Sequence, residues 1–299
     1  MNRRGFLTTI IAAIAFLGVA LQPLVFAAAG QPEGPAMWRV TGEGGTAYLF
    51  GSFHLLPPDM KWRNVRSEKA YRASQNLITE VALDGALDPV QAAHMRVQMA
   101  LPPDELLEDY VTSDTYQRVA DLAANLEIPM VMLSRMRPWA AGMVLTASYM
   151  TKNGFDPEAG ADRYFRVRAT ADGKELGALE TVEEQAEALA SLSKVDGEVL
   201  IKDMLRFLDD VDGALAETLE AWRTGDSVAL EKYSIADLKR IPSAYEALLV
   251  RRNRKWVPQI EAFLKSGQTY FVVVGAAHLI GDDSVVAMLK KRGFAVERY

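Results

Sequence analysis

The sequence predicts an α/β protein: a central mixed, largely parallel sheet flanked by helices, with a large helical insertion before the penultimate strand. Three observations carry this. Apolar runs rich in branched and aromatic side chains recur at Thr46 to Gly51, Asn76 to Ala82 and Thr269 to Gly275, with segments of helical period between them. Two of these runs end in one phrase, Gly-x-x-His-Leu, as Gly51-Ser52-Phe53-His54-Leu55 and Gly275-Ala276-Ala277-His278-Leu279. From Asp196 to Lys265 nearly everything reads as helix, broken at Gly213, Gly225, Pro242 and Pro258.

Residues 1–29 read as an export signal. Asn2-Arg3-Arg4 supply positive charge, Ile10 to Phe26 an apolar core, and Ala27-Ala28-Ala29 small residues for cleavage. Arg3-Arg4-Gly5-Phe6-Leu7 is similar to the twin-arginine pattern. Gln22-Pro23 interrupts the apolar run, which favours a removed signal over a retained anchor. The expected location is therefore the bacterial periplasm, with no stable membrane insertion after signal removal.

After a leader at Gly30 to Ala36, Trp38 to Thr41 and Thr46 to Gly51 are expected as strands joined by Gly42-Glu43-Gly44-Gly45. Asn64 to Ser74 reads as helix, Asn76 to Ala82 as strand, and Asp88 to Met99 as a helix with Pro89 in its first turn. Ser113 to Leu126 is amphipathic, with Ser113 and Asp114 as candidate caps, and Ile128 to Leu133 is expected as a short strand. Pro138 opens a helix to Met150, and Gly160 one that stops near Gly173. Lys174 to Glu180 is a strand candidate, and Thr181 with Glu184 forms a capping box for the helix Val182 to Leu192. Asp282 to Arg292 is expected as an Asp-capped helix, and Phe294 to Tyr299 as a last edge strand. No low-complexity linker intervenes, so residues 30–299 are read as a single domain with a helical region over about 181–265.

The formal charge is −6, and removal of residues 1–29 takes away two Arg and no acid, leaving −8. Such a chain has no electrostatic reason to seek nucleic acid or anionic lipid. With no cysteine, disulfides, thiolate metal sites and a cysteine nucleophile are excluded. Any metal must be held by nitrogen and oxygen.

With 21 Gly and three His in 299 residues, chance placement gives about 0.2 Gly-x-x-His matches, so two are a signal. A strand that ends in glycine and then delivers an imidazole places it where open α/β sheets bind ligands. Two such imidazoles suit a divalent ion, and a carboxylate with one open position for water would complete a hydrolytic site. Glu80, a carboxylate inside an apolar strand, is the first choice; the competing readings are a charge on an edge strand or a salt bridge to a nearby Arg. Asp162 and Glu180 are the next choices as ligand or general base. Against them stand a favourable charge in a first helical turn for Asp162 and helix capping for Glu180. Arg252 and Asn253 are candidates to face an oxyanion or a substrate carbonyl, against a solvated basic helix face. His94, among Ala and Met on its helix, reads as a plain helix histidine. The donor set permits zinc, manganese, cobalt or iron. No Gly-x-Ser-x-Gly elbow is present.

These residues resemble the TraB/PrgY/GumN family, which includes the Tiki metalloproteases, and within it the bacterial GumN-like branch. The resemblance runs through Gly51 to Leu55, Glu80, Arg137-Pro138-Trp139, Gly160-Ala161-Asp162, Leu179-Glu180-Thr181 with Glu184-Gln185, Arg252-Asn253 with Trp256, and Val274 to Gly281. It implies an erythromycin esterase-like and ChaN-like α/β fold. It also implies a divalent-metal peptidase site at His54, Glu80 and His278, with Arg252 in support.

The leading expectation is an exported, metal-dependent hydrolase acting on a peptide or small-molecule substrate. A second is a periplasmic binding protein that sequesters a peptide or haem-like ligand without turnover. A third is a metal-independent esterase in which a histidine acts as base.

Overall fold

The apolar runs become the middle of one six-stranded sheet. A computed structural model describes residues 34–82, 88–209 and 211–299; the expected export signal lies outside the described residues. The strands are β1 Met37–Thr41, β2 Thr46–Ser52, β3 Asn76–Val81, β4 Glu175–Glu180, β5 Thr269–Gly275 and β6 Ala295–Arg298, in the order β4-β3-β5-β2-β1-β6. β4, β3, β5 and β2 run parallel to one another, and β1 pairs antiparallel with β2 and β6. The sheet is mixed and largely parallel, flanked by helices, as expected. β2 and β5 sit in its interior, covered on both faces, which is why they read as continuous apolar runs rather than alternating ones.

The register decides where the duplicated motifs go. Gly51 pairs with Val274 and Ser52 with Gly275, so the two strands leave the sheet side by side and release their histidines at one edge. On one face, Phe50, Tyr71, Phe165 and Phe271 form a buried aromatic cluster, with Phe165 and Phe271 centroids 4.7 Å apart. Edge-to-face and tilted contacts of this kind add to the burial of the rings.

Several expected boundaries move. Ile128 to Leu133 is no strand: Met130–Leu133 is one helical turn, closed by Ser134 N–H on the Met130 carbonyl at 2.8 Å. Pro129 cannot donate to a ladder, and its fixed φ suits a helix start. Thr112, not Ser113 or Asp114, is the N-cap of Ser113–Asn125, and Ser284, not an Asp, caps Val285–Lys291. Gly213 lies inside the helix Val211–Thr224 and Pro258 inside Arg251–Lys265. At both places burial overrides propensity, through Leu215, Leu219 and Trp222 in the first helix and Trp256, Ile260 and Leu264 in the second. The Thr181–Glu184 capping box forms as expected.

Between Pro242–Tyr245 and Arg251–Lys265 the chain makes one π-helical turn, Glu246–Val250. Such turns are rare and recur at functional sites. This one ends immediately before Arg251 and Arg252. Among the described residues no helix is long and apolar enough to cross a membrane.

Candidate active site

Four parallel strands end at the same edge, and each brings a polar residue there. β2 leads to His54, β3 carries Glu80, β4 ends in Glu180, and β5 leads to His278 through the turn Ala276–Leu279. Arg252 and Asn253 enter from the helix above. A cavity of about 30 Å3 is lined by His54, Glu80, Gln185, Ser234, Arg252 and His278, among others. It has room for one water-sized group.

Arg252 is the hub. Its side chain is 5% exposed at residue level, against 7% for both Glu80 and Glu180, so three charges are buried together. Nε donates to both Glu180 oxygens at 3.0 Å, and Nη2 donates to Glu180 Oε1 at 2.6 Å and Glu80 Oε2 at 2.7 Å. Nη1 donates to the Leu248 carbonyl at 2.9 Å, inside the π turn, and to His278 Nε2 at 3.1 Å. All five guanidinium N–H groups have acceptors, so Arg252 reaches a substrate through its charge rather than through a hydrogen bond of its own. Trp256 Nε1 donates to Glu180 Oε2 at 3.2 Å.

Glu80 stands on an interior strand, not an edge. Gly275 N–H donates to its Oε1 at 2.6 Å, and a Cβ on Gly275 would lie 3.1 Å from that oxygen, a tight contact that glycine avoids. Burial would raise the Glu80 pKa, but Arg252, both histidines and the Gly275 N–H hold it down at about 2. Glu180 goes the other way, raised by burial against the pull of Arg252. It caps no helix; Thr181 does that.

His278 is fixed as one tautomer. Asn253 Nδ2 donates to the Asp283 carbonyl at 2.8 Å, which turns Asn253 Oδ1 to His278 Nδ1 at 2.6 Å. Nδ1 therefore carries the proton, and the Nε2 lone pair faces Arg252 and lies 3.7 Å from Glu80 Oε1. Burial and the adjacent guanidinium push the His278 pKa down to about 3, so the ring is neutral. Asn253 orients this histidine and does not face the cavity. Neither Arg252 nor Asn253 belongs to a solvated helix face.

His54 is the opposite case. Its Nδ1 lies 2.9 Å from Asp162 Oδ1, whose charge and hydrogen-bonding reach both favour the imidazolium. Burial lowers the pKa, but Asp162 and then Glu80 overcome it and set it at about 9. The expectation of two neutral imidazoles thus holds for His278 and not for His54. Gly160 makes the approach of Asp162 workable: Ala161 N–H donates to the Phe53 carbonyl at 2.9 Å, and a Cβ on Gly160 would lie 2.3 Å from the His54 carbonyl. His94 lies beside Gln98 on the helix Pro89–Met99 and lines no part of the cavity.

The expected divalent ion has the right donor types here, but not free ones. Arg252 covers the His278 lone pair, and Gly275 and Arg252 engage the two Glu80 oxygens. Among the described residues no three His, Asp or Glu side chains form a group that would hold a metal ion. As arranged, the residues do not fit one.

Gln185 and Ser234 were not singled out for the site by sequence. Gln185 Nε2 donates to Glu80 Oε2 and Glu180 Oε1, each at 3.3 Å, while its Oε1 and the Ser234 hydroxyl are buried without partners.

Fold and site together define an α/β protein whose histidines, carboxylates and arginine meet at the carboxyl edge of a parallel sheet. The TraB/PrgY/gumN family model matches residues 36–298, and the chain belongs to that family. It is 26% identical over 249 residues to the uncharacterized protein YbaP of Shigella flexneri, covering 82% of this chain and 88% of that one. It is 24% identical over 317 residues to a metalloprotease TIKI homolog of Amphimedon queenslandica, covering 88% and 61%, and 24% identical over 324 residues to metalloprotease TIKI2 of Xenopus tropicalis, covering 84% and 57%. The chain thus spans about 60% of the length of these Tiki proteins. No solved structure matches the chain.

Proposed function

We propose that this chain is an exported, metalloprotease-like hydrolase acting on a peptide or another small acyl substrate at the cavity where the four strands end. The observation that carries the reading is the meeting of His54, Glu80 and His278 on that one cavity, from motifs 224 positions apart in the chain. The likeness to proteins named metalloproteases supports it. In terms of this chain's own residues, His54 is the mobile-proton group. Held by Asp162, its neutral form takes a proton from the incoming water and then, as the imidazolium, passes that proton to the departing nitrogen. Arg252, with its charge fixed beside the cavity, favours the negative charge that develops on the carbonyl oxygen. Glu80, Glu180 and Asn253 hold Arg252 and His278 in place.

A second reading, with a divalent ion, is favoured by the names of the Tiki relatives and by the oxygen standing behind Nδ1 of each imidazole, the orientation that ligating histidines take. It requires Arg252 to give up the lone pair of His278. One experiment addresses both. A peptide library is incubated with wild-type and His54→Ala protein, with and without chelator, and read by mass spectrometry. Discrete cleavage lost in His54→Ala supports the hydrolase. Persistence of cleavage in chelator supports the residue-only form, and loss restored by zinc, manganese, cobalt or iron supports the metal form. Retention of intact peptides with no products points to sequestration instead.

A further inference from the structure

We infer that Gln185 and Ser234 contact the substrate directly, and that they select a backbone N–H, so that the cavity takes an amide in preference to an ester. The inference rests on the proposed site for its location and not on turnover. Gln185 sits on the helix Val182–Ala190 and Ser234 at the end of Ser227–Ser234. Both line the cavity with His54 and Glu80.

The carboxamide of Gln185 has only one workable orientation. Its Nε2 faces Glu80 Oε2 and Glu180 Oε1, and a flip would set an oxygen against two carboxylates. Its Oε1 is therefore an obligate acceptor, buried and unpartnered. A buried amide oxygen without a donor is unfavourable, and native proteins leave few of them. The Ser234 hydroxyl is in the same state, with the residue 6% exposed. Two such groups lining one cavity are a recognition surface for a ligand that supplies hydrogen bonds. Apart from His54, the other polar groups of the lining are committed: Arg252 has no spare N–H, and Glu80 accepts from Gly275, Arg252 and Gln185. An amide supplies the donor that Gln185 needs and an ester does not. A site built to meet an N–H rejects the analogue lacking it, because its own buried group stays unmet.

The test is an ester scan. N-acetyl-tetraalanine amide and a depsipeptide set, in which each backbone N–H in turn becomes an ester oxygen, are titrated calorimetrically into His54→Ala protein, where no turnover consumes the probe. One replacement is expected to weaken binding about tenfold or more. Adding Ser234→Ala or Gln185→Met is expected to weaken the parent peptide and flatten that step. Ser234→Ala removes a hydroxyl with no protein partner, so its melting temperature should match that of the background and folding is not in question. A flat scan, a step unchanged by both substitutions, or no measurable binding of the parent peptide each overturns the inference. A clear step in a protein that cleaves nothing would sink the hydrolase reading and leave this one standing; cleavage of amides and esters alike would do the reverse.

Discussion

Asn253 Oδ1 accepts the Nδ1 proton of His278 at 2.6 Å while the Asn253 amide donates to Asp283. One side chain thereby sets the tautomer of the buried ring and ties the strand-end turn to the helix Arg251–Lys265. Replacing Asn253 with Ala strands the ring N–H and the Asp283 carbonyl. The expected loss is about 1–3 kcal/mol in urea unfolding, and an unchanged midpoint would refute the role.

Arg252 is expected to be the costliest single residue to lose. Arg252→Met leaves Glu80 and Glu180 buried without a counter-charge, for a loss of about 3–5 kcal/mol. Arg252→Lys should recover little, because an ammonium cannot make the forked contacts to Glu180, Glu80 and His278 together. Chemical denaturation of both variants decides it, and full rescue by Lys would show that charge alone matters.

His54 is expected to titrate near pH 9 by NMR, and Asp162→Asn should bring that midpoint down. The folded state then holds a proton that the unfolded chain, with an imidazole pKa of about 6.5, releases earlier. This contribution to stability is complete below pH ~6.5 and is lost as pH rises through about 9. Wild type should lose more stability across that window than Asp162→Asn, as read by melting temperature against pH. Equal slopes would sink the pairing.

Gly160→Ala forces a Cβ to within 2.3 Å of the His54 carbonyl, which is backbone and has nowhere to go. A loss of at least about 1–3 kcal/mol is expected. His54 should also be displaced, visible as a shifted imidazole resonance, whereas an unperturbed spectrum would argue that the contact is soft.

Much of this was readable beforehand, for physical reasons. Thr269–Gly275 is apolar on both faces because it lies mid-sheet, so its limits show in the letters. Glu80 stood out because a charge inside such a run needs a partner. Arg252 and Asn253 are legible as candidates, but they stand in a basic run whose other members, Arg251, Arg254 and Lys255, face solvent, which leaves a solvated face as the rival reading. The buried stripe of Trp256, Val257, Ile260 and Leu264, projected back one turn, decides against that reading. Gln185 enters only beside Glu184 in the family resemblance and Ser234 not at all, since a lone polar residue on an amphipathic helix has no spacing to betray it. Ile128 to Leu133 misled because a six-residue apolar stretch fits either a strand or a helical turn.

The π turn at Glu246–Val250 makes the count of residues, and not only their identity, a condition for a working centre. Excising one residue from that turn would let an ordinary helix re-form and draw the Leu248 carbonyl, now held by Arg252 Nη1 at 2.9 Å, back into the helix ladder. Length variation in this family should therefore collect in the loops and spare this short segment.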